Sequence, residues 1–154
     1  MDSDYQSDCR SKEGQDGIFK ANEIMNIEII QIPKIEDYRG NIAVIENDVI
    51  PFPIKRVYYL FDVPSTAHRG GHSHKEQFEM LVALSGSFDV VLNDGNTSQI
   101  VTLNKPDKGL LIKKNIWREL ENFSSGAVCL VIASDVYDEA DYIRDFDEFL
   151  ASGK

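Results

Sequence analysis

Two of the three histidines in this 154-residue chain stand one residue apart in RGGHSHK, residues 69–75. Residues i and i+2 of a β-strand project from the same face, so His72 and His74 are expected to present two imidazoles to one space. Imidazole changes charge near neutral pH and is also a common metal ligand, so the pair suits either proton transfer or metal binding. His68 joins them only if the strand runs on unbroken, and Gly70 and Gly71 favour a bulge. Exposed strand histidines without a role are the bland alternative, and the flanking cations Arg69 and Lys75 weigh against it.

A metal reading has some support in the spacing. His74 is followed after four residues by Glu79 and after six more by Gly86, which resembles the first metal motif of the cupin barrels. Such sites usually take a further histidine from a later strand, and no histidine follows His74. His72, His74 and Glu79 would still form a facial triad. The metal-free reading uses the imidazoles directly. A neutral histidine removes a proton from a carbon beside a carbonyl, and a neighbouring cation steadies the enediolate that forms.

The elements that must hold these residues read as all-β. Residues 1–24 are rich in Ser, Asp, Gly and Gln and are expected to be a flexible extension, with one domain over 25–154. From Ile27 onward, short runs of Val, Ile, Phe and Tyr alternate with turn clusters such as EDYRGN, NDGN and NKPDKG. SFDVVLNDGNTSQIVTL predicts a hairpin with Asp94-Gly95 at its turn. Pro51 and Pro53 predict a bend or an edge. In DYIRDFDEFL, Tyr142, Phe146, Phe149 and Leu150 share a helical face, so a short helix is expected to close the chain. Many short strands and one terminal helix point to a small jelly-roll β-barrel.

Composition narrows the partners. There are 16 Lys and Arg against 26 Asp and Glu, a formal net charge of -10, and the basic residues are scattered, which argues against nucleic acid. Cys9 and Cys129 lie far apart, and Cys129 falls in the apolar run AVCLVIA, as a free thiol in a reducing cytoplasm would. No apolar run approaches the roughly 18 residues of a membrane span, and the first residues are not signal-like. A cytoplasmic protein without a membrane partner is expected.

KRVYYLFDVPSTAHRGGHSHKEQFEMLVALSGSFDVVLNDG resembles the sugar 3,4-ketoisomerases of the cupin superfamily, the WxcM-like enzymes that act on dTDP-4-keto-6-deoxyglucose. EDYRGNIAVIEND, GLLIKKNIWRELENFS and LVIASDVYDEADYIRDFDEFL continue the resemblance in order, from about Ile27 to Leu150. It implies a jelly-roll homodimer, with no metal, nicotinamide or other cofactor. Its reaction moves the keto group of a dTDP-linked 6-deoxyhexose from C4 to C3, in deoxyamino-sugar biosynthesis for surface glycans or glycosylated metabolites. Carried over, His72 is the base at C3, and His74 orients the sugar or shuttles a proton. Tyr38 and Arg118 match positions that border the sugar and favour the gluco product over the galacto one. Arg56, Tyr58, Arg69 and Lys75 suit the sugar hydroxyls and the diphosphate. Ser73 and Glu79 stand where the family commonly has Ala and Gln. A carboxylate there is expected to raise the imidazole pKa values, and it keeps a metal cupin using His72, His74 and Glu79 open as an alternative. A non-catalytic sugar-nucleotide binder is the other.

Overall fold

The computed structural model describes residues 25–153, so the extension expected over 1–24 lies outside the described residues. The β-branched and aromatic runs become strands between their turn clusters. In chain order these are β1 (Ile27–Gln31), β2 (Lys34–Asp37), β3 (Gly40–Ala43), β4 (Arg56–Leu60), β5 (Arg69–His74) and β6 (Glu79–Ser85). They continue as β7 (Phe88–Asn93), β8 (Ser98–Leu103), β9 (Lys108–Ile112), β10 (Trp117–Glu121), β11 (Val128–Ala133) and β12 (Tyr142–Ile143), followed by helix α1 (Phe146–Ser152).

One sheet has the order β1-β9-β6-β11-β4 and the other β12-β5-β10-β7-β8, while β2 and β3 pair as a separate hairpin. All the pairings are antiparallel. Leu81 and Ala83 of β6, Leu110 of β9 and Val131 of β11 share one apolar core with Phe88, Val90 and Leu92 of β7 and Leu120 of β10. Behind the first sheet, Met80, Val82 and Ile132 pack with Ile32 and Ile50, so β6 is covered on both faces. That double burial explains its apolar run MLVA. Among the described residues the ladders of the two sheets do not join. The expected all-β jelly roll with a short C-terminal helix is present, as two facing sheets that stay open where closure into a barrel was expected.

Two local devices shape the sheet that carries the histidines. The β7–β8 hairpin pairs Phe88 with Leu103 through Asn93 with Ser98, and its loop is four residues long. Asp94 Oδ1 closes that loop by accepting the N–H groups of Asn96 at 2.8 Å and Thr97 at 2.7 Å. On the other side of β10, Arg118 faces His72 but Glu119 faces Gly70, so Gly71 is bulged out. Gly70 and Gly71 have φ of 84° and 73°, in the region where a Cβ is strained. The bulge ends the two-residue alternation before His68.

The C-terminal stretch departs from expectation. Helix α1 begins only at Phe146, capped by Asp145, whose carboxylate accepts the Glu148 N–H at 2.8 Å. Tyr142 is not on its face. Tyr142 and Ile143 form β12 and pair with His74 and Ser73. Phe149 is buried with Trp117 and Ile143, and this small cluster ties α1 to β12. Phe149→Ala is expected to cost about 3 kcal/mol, the lower end for a buried Phe, and to lower the melting temperature by roughly 10 °C. A thermal melt followed by circular dichroism checks it, and an unchanged midpoint would show that the helix does not brace the sheet edge.

Candidate active site

A cavity of about 470 Å³ opens between the sheets. Strand alternation supplies much of its wall: Arg56, Tyr58 and Leu60 of β4 turn inward while Val57 and Tyr59 turn to solvent. His68, with Arg69 and His72 of β5, Glu79 of β6, Arg118 of β10, and Tyr137, Tyr142 and Arg144 of the C-terminal segment complete the polar lining. Four arginines and one carboxylate line it, so a chain of net charge -10 encloses a locally cationic space.

Glu79 is the hub. Its Oε2 accepts Arg118 Nη1 at 3.1 Å, and its Oε1 accepts Gln77 Nε2 at 2.8 Å and Tyr58 OH at 3.1 Å. His74 Nε2 stands 3.2 Å from the same Oε1. Burial by itself would push the Glu79 pKa up. The His74 contact and the Arg118 charge outweigh it and hold the carboxyl well below the usual range. Burial also lowers the Arg118 pKa, against the pull of Glu79, and pushes the Tyr58 hydroxyl far up, so Tyr58 is a donor and not a phenolate.

The two histidines are not equivalent. Their rings meet edge-on at 4.8 Å, and both pack against Tyr142, but His72 alone of the two lines the cavity. His74 is fully buried, its Nδ1 3.0 Å from Asp141 Oδ2. His72 is 8 % exposed, and its Nε2 has no partner among the described residues. Burial, and then the nearby Arg118 charge, lower its pKa to about 3. The expectation that Glu79 would raise it is met in sign and overruled in size. His72 is therefore a neutral acceptor at physiological pH. Arg118 Nε and Nη2 are likewise buried without partners, so one base and two fixed N–H donors belong to the same lined space.

His72, His74 and Glu79 bring potential ligand atoms within 4.8 Å of one another. The surrounding groups do not fit a divalent ion. A buried guanidinium already neutralises Glu79, three further contacts occupy Oε1, and the ring nitrogens of His74 are taken up by Asp141 and Glu79. The fixed cation stands where a metal site needs lone pairs.

The other expected residues separate into two groups. Arg56, Tyr58, Arg69 and Arg118 line the cavity with His72. Arg56 donates to Tyr142 OH at 3.3 Å and lies over the Tyr58 ring. Lys75 is directed elsewhere, its Nζ on the Ala140 carbonyl at 3.0 Å, and Tyr38 is 95 % exposed on the β2–β3 hairpin. Neither is in the lining. His68 binds Glu121 at 3.2 Å and reaches the cavity only at its margin, with its side chain 66 % exposed. Gln77, Asp141, Tyr142 and Arg144 were not expected. Arg144 is paired with Glu139 at 2.6 Å and stacks over Tyr142.

The family model described as WxcM-like, C-terminal (FdtA) matches residues 25–154. The chain belongs to the FdtA/WxcM-like family. It is 48% identical over 126 residues to the TDP-4-oxo-6-deoxy-alpha-D-glucose-3,4-oxoisomerase of Aneurinibacillus thermoaerophilus, covering 81% of this chain and 91% of that one. Among solved structures, the TDP-quinovose 3,4-ketoisomerase WlaRB of Campylobacter jejuni is 50% identical with a TM-score of 0.78, over 82% of this chain and 98% of that one. The 3,4-ketoisomerase QdtA of Thermoanaerobacterium thermosaccharolyticum is 40% identical with a TM-score of 0.82, over 83% and 94%. That structure is a histidine-to-asparagine mutant in complex with TDP-4-keto-6-deoxyglucose.

In this family member the buried base has a consequence for stability. The His72 pKa falls from 6.5 to about 3 on folding, so between those values the native state binds fewer protons than the unfolded chain. The contribution of this group is complete above pH 6.5 and declines as the pH falls toward 3. Urea midpoints at pH 7 and pH 5 are expected to fall further for the wild type than for His72→Asn, and equal falls would show that the imidazole is not buried neutral.

Proposed function

We propose that this chain is a TDP-sugar 3,4-ketoisomerase that converts dTDP-4-keto-6-deoxy-D-glucose to a dTDP-3-keto-6-deoxyhexose, without metal or nicotinamide. The observation that carries the reading is the pairing, in one cavity, of an unpartnered neutral His72 Nε2 with the unpartnered donors Arg118 Nε and Nη2. His72 takes the proton from C3. The electron pair becomes the C3–C4 double bond, and the negative charge collects on O4, where Arg118 holds it. The O3 proton then leaves as C3 becomes the ketone, O4 is protonated, and a proton is delivered to C4. Atoms and charge balance without any oxidant.

The cationic lining supports a dianionic diphosphate. Arg69 serves it best, because it has no ion-pair partner among the described residues, whereas Arg144 is held by Glu139. The gluco product follows from Tyr38 and Arg118, the pair of residue types that the resemblance associates with it. Tyr38, absent from the lining of its own cavity, borders a sugar only if a second copy delivers it. A homodimer also accounts for Val57, Tyr59 and Phe61, large apolar groups exposed on and beside the edge strand β4. The 3-ketone is the form an aminotransferase consumes, which places the reaction before amination of the sugar. Among the described residues no helix is long and apolar enough to cross a membrane.

Incubation with dTDP-4-keto-6-deoxyglucose in deuterated buffer, followed by NMR of the product, tests substrate, reaction and C4 configuration together. The wild type is expected to form the 3-keto sugar with deuterium at the exchanged carbon. His72→Asn is expected to lose about 1,000-fold in rate while still binding TDP. Activity is expected to survive exhaustive chelation; activity lost to the chelator and restored by iron or manganese would favour the metal cupin. Binding of the sugar nucleotide without exchange or product would favour the non-catalytic binder.

A further inference from the structure

Asp141 touches His74 from a position outside the cavity lining, and nothing in the proton transfer described above uses it. Its Oδ2 lies 3.0 Å from His74 Nδ1. Oδ1 accepts the Glu76 N–H at 2.8 Å, and Oδ2 also accepts the Gln77 N–H at 3.2 Å. The main chain fixes it further, since the Asp141 carbonyl accepts the Lys75 N–H at 3.0 Å and the next residue, Tyr142, pairs with His74. A carboxylate held by so many bonds has little freedom to follow the ring; the ring must conform to it. As an ionised carboxylate only accepts, the hydrogen bond requires the proton on Nδ1 of His74. With Nδ1 tethered on one side, Nε2 faces Glu79 on the other.

We propose that Asp141 is a positioning residue for the isomerisation: it holds His74 in one orientation and, through Nε2 and Glu79, sets Arg118 of β10 and Tyr58 of β4. The chain of contacts runs from Asp141 to His74 at 3.0 Å, from His74 to Glu79 at 3.2 Å, and from Glu79 to Arg118 at 3.1 Å. Its far end is the guanidinium whose unpartnered N–H groups belong to the cavity wall. His74 then acts in place, as a strut between two carboxylates, and not as a group that touches sugar. This rests on the isomerase reading and adds a residue to it. Loss of the tether leaves the base and the anion-binding arginine present but misaligned, and small misplacements of reacting groups are enough to slow a reaction about 100-fold.

The experiment compares wild type, Asp141→Asn and Asp141→Glu for kcat, KM, melting temperature and the nitrogen chemical shifts of 15N-labelled histidine, with His74→Asn used to assign the His74 signals. Asp141→Asn is expected to lower kcat about 100-fold at unchanged KM and to shift the His74 Nδ1 resonance; Asp141→Glu, which retains the acceptor charge, is expected to recover part of kcat. Wild-type kcat in folded Asp141→Asn overturns the proposal, as does a loss confined to KM, or a lower melting temperature with kcat intact. Should Asp141→Asn not fold, the wild-type spectrum decides: a slowly exchanging Nδ1 proton on His74 supports the tether, and its absence overturns it. A wild type that does not turn over dTDP-4-keto-6-deoxyglucose overturns the isomerase reading itself, whereas an active wild type beside an equally active Asp141→Asn overturns only the role given to Asp141.

Discussion

The ion pair between Arg118 of β10 and Glu79 of β6 joins the two sheets through the interior, and the rest of the site is arranged around it. Both partners are almost wholly removed from solvent. Burying two charges is expensive, and well-packed apolar side chains at these positions would often be as stable or more so. The pair makes sense as a device that prevents the sandwich from filling with hydrocarbon at this level. Tyr58, Gln77 and His74 satisfy the carboxylate, and the guanidinium is satisfied at one nitrogen only. The surplus donors are the chemical content of the cavity.

The same charge sets the state of the base. Arg118 adds to burial in keeping His72 unprotonated, and Glu79 only partly offsets it. An imidazole with so low a pKa is a weak base, and weak bases transfer protons slowly. Negative charge brought beside His72 would shift that balance, since it favours the protonated imidazole.

Much of the scaffold was legible because local rules and tertiary context agree there. The alternation in SFDVVLNDG and the shared face of His72 and His74 rest on backbone periodicity, which survives folding unchanged, and the bulge rests on the positive φ open to the paired glycines. The inequality of the two histidines was not legible, because it depends on Asp141, 67 positions away. The stretch DYIRDFDEFL misled for a specific reason: an apolar spacing compatible with a helix extends through Tyr142, although the strand edge beside His74 claims that residue. The local signal that separates the two is Asp145 followed three residues later by Glu148, the pattern of a helix N-terminus, which dates the helix from Phe146. Lys75 shows the converse limit, since its neighbours in sequence suggest an anion site and its backbone carbonyl partner lies outside the cavity.

The cavity wall is of two kinds. Strands in ladders fix Arg56, Tyr58, His72, Glu79 and Arg118, and a change of backbone at any of them would disturb a neighbouring strand. Tyr137 lies in the irregular stretch between β11 and β12, and Arg144 in the link between β12 and α1. This side can accept new side chains, or a residue more or less, while the reacting groups stay in register. A scaffold so divided lets the margin of the cavity change shape while the groups held in the ladders keep their places.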